Sequence, residues 1–63
     1  MSDVNWEEPF CGEGASCYRL GTDDQGNSYI TVAGAEAQYL TDSREALQQM
    51  IRDIKAGAAD HLL

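Results

Sequence analysis

The clearest pattern in the chain is a helical one towards its C-terminal end. Leu47, Met50, Ile51 and Ile54 fall at i, i+3, i+4 and i+7, the spacing that gathers side chains on one helical face. Arg44, Glu45, Gln48, Gln49, Arg52, Asp53 and Lys55 fill the remaining positions, so one face is built for burial and the rest for water. Asp42 as N-cap, with Glu45 three residues on, resembles a capping box, and Ser43 is an almost equal candidate. Arg52 and Lys55 suit the negative end of the helix dipole, and Gly57 suits a left-handed stop. The pattern predicts a helix over 42–56 and a short tail over 57–63. A helix of about 13 residues spans about 20 Å, enough to cross three or four strands.

Upstream, the periodicity changes to that of strands. Residues 1–14 read as a loop or edge strand, with Val4-Asn5-Trp6 extended before Pro9 and Gly12 interrupt it. Residues 15–40 read as an antiparallel meander. Ala15 to Leu20 alternates, with Cys17 and Arg19 on one face and Tyr18 and Leu20 on the other. Gly21 to Asn27 is a concentrated turn signal. Ser28 to Val32 is rich in β-branched and aromatic residues and reads as a strand. Ala33-Gly34-Ala35 turns the chain again, and Glu36 to Leu40 is expected to form the third strand. The expected architecture is a single α+β domain: a small antiparallel sheet of three or four strands, with one C-terminal helix packed on one face.

Size makes stability a question. Sixty-three residues bury a smaller share of their surface than a typical domain, so disulfides, a metal or oligomerisation commonly assist. Two cysteines are too few for a disulfide-dense secreted scaffold. Met1 to Asn5 holds no basic segment leading into an apolar run, and no apolar stretch approaches a membrane span. These features predict a cytoplasmic protein with reduced thiols, no membrane association, and a homodimer or permanent partner to complete it.

Charge narrows the partners. The formal net charge is −7, and residues 1–41 carry seven of the eleven acids but only one base, Arg19. Direct nucleic-acid binding is disfavoured, because phosphate contacts need clustered Lys and Arg. A basic partner protein is favoured by the same sign argument, although acidity also keeps a small domain soluble.

Little in the chain suggests chemistry. Cys11 and Cys17 lack CxxC spacing, and lone His61 cannot complete a tetrahedral metal site with them. They are read as buried or half-buried thiols ahead of a redox- or metal-responsive switch, although a disulfide across 12–16 is geometrically feasible. Asp23, Gln25 and Asn27 alternate like calcium ligands, but no distant Glu completes an EF-hand, so the segment is read as a hairpin turn. Glu7, Glu8 and Glu13 could pair as acid and base only in a pocket that a chain this small hardly forms. No enzyme activity, cofactor or metal is expected. Among Trp6, Phe10, Tyr18, Tyr29 and Tyr39, the tyrosines cannot all point inward in a two-layer domain, so one sheet face is expected to keep aromatic groups that no helix covers.

The order of these features resembles the small actinobacterial proteins of domain-of-unknown-function family 397, the BldB-like regulators. The resemblance rests on Trp6, the Gly12-Glu13-Gly14-Ala15-Ser16 loop, Cys17-Tyr18-Arg19-Leu20 and Tyr29-Ile30-Thr31-Val32. It continues through Tyr39-Leu40 and Ser43 to the ending Lys55-Ala56-Gly57-Ala58-Ala59-Asp60. Ala33-Gly34-Ala35 stands where the family usually has Arg-Asp-Ser, and Cys11 is extra. The resemblance implies a non-enzymatic regulator, sometimes antitoxin-like, that partners a helix-turn-helix transcription factor. Its contact surface is then expected around Glu7, Glu8, Glu13, Asp23 and Asp24, with Trp6 and Tyr18 as aromatic anchors. The alternatives are a self-assembling structural protein, a Cys11/Cys17 switch, and a DNA mimic that blocks the regulator's DNA face.

Overall fold

The computed structural model describes residues 3–11 and 17–63. Four strands form one antiparallel sheet in chain order: β1 (Asn5–Trp6), β2 (Tyr18–Thr22), β3 (Asn27–Val32) and β4 (Leu40–Ser43). Helix α1 (Arg44–Lys55) follows directly, and a 3-10 turn over Asp60–Leu62 ends the chain. This is the small α+β architecture, with its single long helix after the strands.

Register sorts the side chains onto two faces. Leu20 stands opposite Ile30, Ile30 opposite Leu40, and Tyr18 opposite Val32, so these apolar residues share the face on which α1 lies. Trp6, Gly21, Tyr29 and Thr41 form a row across the other face. The helix rests on β3 and β4 and buries Leu47.

Both ends of the helix have identifiable stops. Ser43, not Asp42, is the N-cap: its Oγ accepts the Ala46 N–H at 3.1 Å. Asp42 still belongs to β4 opposite Ser28, and its carboxylate accepts the Ser43 N–H at 2.6 Å. A Ser cap of this kind is worth about 1 kcal/mol. At the far end Gly57 adopts φ 96°, and the N–H groups of Gly57 and Ala58 donate to the carbonyls of Ile54 and Asp53. That is the Schellman arrangement, which favours glycine at the left-handed position. The helix is thus shorter than the expected 42–56.

Two strand boundaries also shift. The third long strand is Leu40–Ser43 rather than Glu36 to Leu40. Residues 33–39 form a loop instead, because local bonds satisfy its backbone. Thr31 Oγ1 donates to the Ala35 carbonyl at 2.8 Å, Gln38 N–H to the same carbonyl at 2.9 Å, and the Gly34 N–H to the Glu36 carboxylate. The second shift is at Gly21 and Thr22, which continue β2 rather than opening the turn. A Cβ on Gly21 would lie 2.7 Å from Val4 Cγ1 and 2.8 Å from Trp6 Cε3, so the missing side chain is what lets the β1 segment lie close.

The core is thin. Tyr29 and Leu47 are the buried hydrophobic residues among those described, while Met50, Ile51 and Ile54 of the same helical seam stay 37%, 41% and 48% exposed. The expected burial of the whole seam therefore holds only for its first residue. The chain exposes 5073 Å², against about 4,000 Å² for a compact monomer of its 6.9 kDa mass. Its Cα radius of gyration is 12.5 Å, where about 10.6 Å is usual for this length.

Candidate docking surfaces

The helix covers β3 and β4 and leaves a groove open over β2. This groove, about 580 Å³ in volume, is lined by Phe10, Tyr18, Leu20, Ile30, Met50, Ile51, Ile54 and the stem of Lys55, and its walls are wholly apolar. Phe10 reaches it because the chain after β1 continues alongside β2: the Phe10 N–H donates to the Tyr18 carbonyl at 2.8 Å. Phe10 and Tyr18 form the outer lip and are 65% and 68% exposed.

A disulfide closes the chain just beyond that lip. Cys11 and Cys17 are bonded, with Cα atoms 4.9 Å apart, which corrects the expectation of reduced thiols. The pairing of Phe10 with Tyr18 brings the two cysteines together, since each is the next residue inward from the bridge. In the chain-entropy account, so short a closed loop contributes about 2 kcal/mol. Reduction by a dithiol is expected to lower the melting temperature and to loosen Phe10 and Tyr18 while the hairpin and helix persist. Thermal melts with and without reductant, read beside the Tyr and Phe side-chain resonances, check this.

The opposite face carries aromatic groups that no helix covers, as the tyrosine count predicted. Tyr39 meets Tyr29 and Trp6 edge-on, with ring centroids 4.9 Å and 6.5 Å apart, and Trp6 lies tilted against Tyr29 at 6.1 Å. Tyr29 is buried beneath its neighbours, and Tyr39 is 45% exposed. Trp6 and Tyr18, expected to act as anchors of one surface, stand on opposite faces of the sheet.

The expected acidic residues separate into two kinds. Glu7, Glu8 and Asp24 are exposed, as is Asp3. They follow the β1 edge of the sheet from the Phe10 end to the tip of the β2–β3 hairpin. Charge and Pro9 on so short an edge also discourage strand addition by another chain. Asp23 is different: it is 3% exposed and fully engaged. Its carboxylate accepts the Tyr29 O–H at 2.6 Å, the Asn27 side-chain amide at 3.0 Å, and the backbone N–H groups of Asn27 and Gln25. The Tyr29 bond foremost, with those of Asn27 and Gln25, holds it far below the usual carboxylate range, against the opposing effect of burial. Asp23 is therefore a hairpin lock rather than a contact residue. Glu13 lies outside the described residues.

Arg19, the base in the acidic part of the chain, is engaged as well. Its Nε donates to the Glu7 carbonyl at 2.8 Å and its Nη1 pairs with Glu36 at 3.1 Å. The Glu36 carboxyl sits below its ordinary pKa, mainly through the backbone N–H of Gly34, then through its own backbone N–H and the Arg19 guanidinium. Among the described residues no three His, Cys, Asp or Glu side chains converge on a metal-sized space, and no helix is long and apolar enough to cross a membrane.

No protein-family model matches the chain, and no curated protein or solved structure does.

Proposed function

We propose that this chain acts by contact, as a non-enzymatic regulator that docks on a basic protein, and that the partner is a helix-turn-helix transcription factor. The observation that carries the docking reading is the line of exposed carboxylates along the β1 edge, with Arg19, the one base of residues 1–41, already paired with Glu36. Trp6 and Tyr39 on the adjoining face supply aromatic surface of the kind enriched at interfaces. The class of partner comes from the resemblance to the BldB-like family. The chain would bias or occlude its regulator in the cytoplasm, in an antitoxin-like manner.

Charge reversal tests this. Glu7→Lys together with Glu8→Lys should weaken capture of the regulator roughly tenfold at low salt, with the difference shrinking as salt rises. Affinity capture from an actinobacterial lysate, with mass spectrometry of the eluate, identifies the partner. Equal recovery by wild type and variant at every salt concentration would remove the acidic edge from the interface.

A second reading draws support from the Cys11–Cys17 bond. In a reducing cytoplasm that bond would be open to dithiol exchange, and its state would set how firmly Phe10 and Tyr18 are held. Counting free thiols in protein alkylated at the moment of lysis distinguishes the two: free thiols throughout leave no oxidised form for a switch to use.

A further inference from the structure

We infer that the apolar groove between α1 and β2 is the face through which two copies of this chain pair. The first ground is area. The chain exposes 5073 Å², about 1,000 Å² more than a compact monomer of its mass. A standard interface buries about 800 Å² on each partner, more than the groove alone offers, so the contact must also take in the exposed Val32 and Leu40 beside it on the same face.

The second ground is the state of the core. With Tyr29 and Leu47 as the buried hydrophobic residues among those described, the remaining apolar side chains need cover whenever the chain is folded. An occupant needed by every folded molecule must always be present in equal number. A second copy meets that condition and a regulator of variable abundance does not.

The third ground is shape. Two apolar ridges flank the groove, Ile51 and Ile54 on the helix and Phe10 and Tyr18 on the lip. A two-fold axis through the groove lays the helical ridge of each copy against the lip of the other, so one patch satisfies both partners. The opposite sheet face, with Trp6 and Tyr39, stays free for the regulator, and the pairing does not depend on that docking.

The test is the mass of the full chain in solution with its disulfide intact, measured by sedimentation equilibrium beside thermal melts across roughly a hundredfold range of concentration. The expected result is twice the 6.9 kDa chain mass and a melting temperature that rises with concentration. Ile51→Asp, at a position already 41% exposed, should abolish the doubled mass, whereas Leu62→Asp, 77% exposed outside the groove, should retain it. A folded wild-type chain of single mass, with a melting temperature independent of concentration, overturns the pairing. If that monomer also binds an apolar dye, the groove belongs to a foreign partner. A polydisperse, larger assembly overturns it too, since the proposed contact is closed by symmetry.

Discussion

Gly21→Val is expected to destabilise the fold by about 3 kcal/mol, at the upper end of the usual cost of overpacking. A bare Cβ at this position already falls 2.7 Å from Val4 Cγ1 and 2.8 Å from Trp6 Cε3, inside any tolerable contact, and valine adds two methyl groups beyond it. Gly21 does not have a positive φ, so the cost is steric rather than conformational. Valine would even suit a strand in the absence of β1. The chain can escape the clash only by moving Val4 and Trp6 outward, which breaks the pairing of Trp6 with Gly21 and uncovers Tyr29. In a domain with so thin a core, that loss is a large fraction of total stability. Urea unfolding measures it, and Trp6, the one tryptophan of the chain, reports the displacement as a red-shifted emission. Unchanged stability with unchanged emission would mean that β1 does not lie over Gly21.

Glycine 21 also shows where the sequence could and could not be read. The helix was legible because its signals are local: the Leu47–Ile54 seam and the Gly57 stop need nothing from the rest of the chain. Gly21, by contrast, precedes Thr22-Asp23-Asp24 and looks like the opening of a turn. Its role in β2 depends on Trp6, fifteen positions away in sequence. The start of the third long strand is hidden in the sequence for a similar reason. Tyr39 and Leu40 favour a strand, but whether pairing starts before or after them is set by Thr31 and Glu36, whose bonds hold residues 33–39 in a loop. The groove was hidden entirely. The seam marks an apolar face, yet which part of it is covered depends on the helix lying over β3 and β4 rather than over β2, so only Leu47 is buried. The cysteines could be bridged or free on spacing alone, and the antiparallel pairing of Phe10 and Tyr18 decides between them.

Asp23 is the site where the sequence misled most, and it supports the strongest pH prediction. Asp23, Gln25 and Asn27 look like exposed acceptors in a turn, and only the Tyr29 hydroxyl reaching back across the hairpin turns the first of them into a buried anion. Four donors converge on one carboxylate, so Asp23→Ala removes the hairpin lock and leaves the Tyr29 hydroxyl without its partner. The expected result is a mostly unfolded chain at room temperature. The sign of the pH dependence follows from the direction of each shift. Asp23 has a lowered pKa in the fold, so its contribution is complete above about pH 4, where an unfolded aspartate is ionised, and fades as pH falls towards the folded value. Tyr29 has a raised pKa, chiefly because it donates to Asp23, so its contribution is complete below about pH 10 and fades above it. Stability should therefore form a plateau between these limits with a fall on the acid side, to which Glu36 adds in the same sense. Asp23→Asn keeps the shape but cannot ionise. Its plateau should lie below that of the wild type and its acid limb should be shallower, so that the two melting curves converge as the medium becomes acidic. Parallel acid limbs in the two proteins would show that Asp23 carries no linked proton, and the hairpin lock would then have to be assigned to Asn27 and the backbone alone.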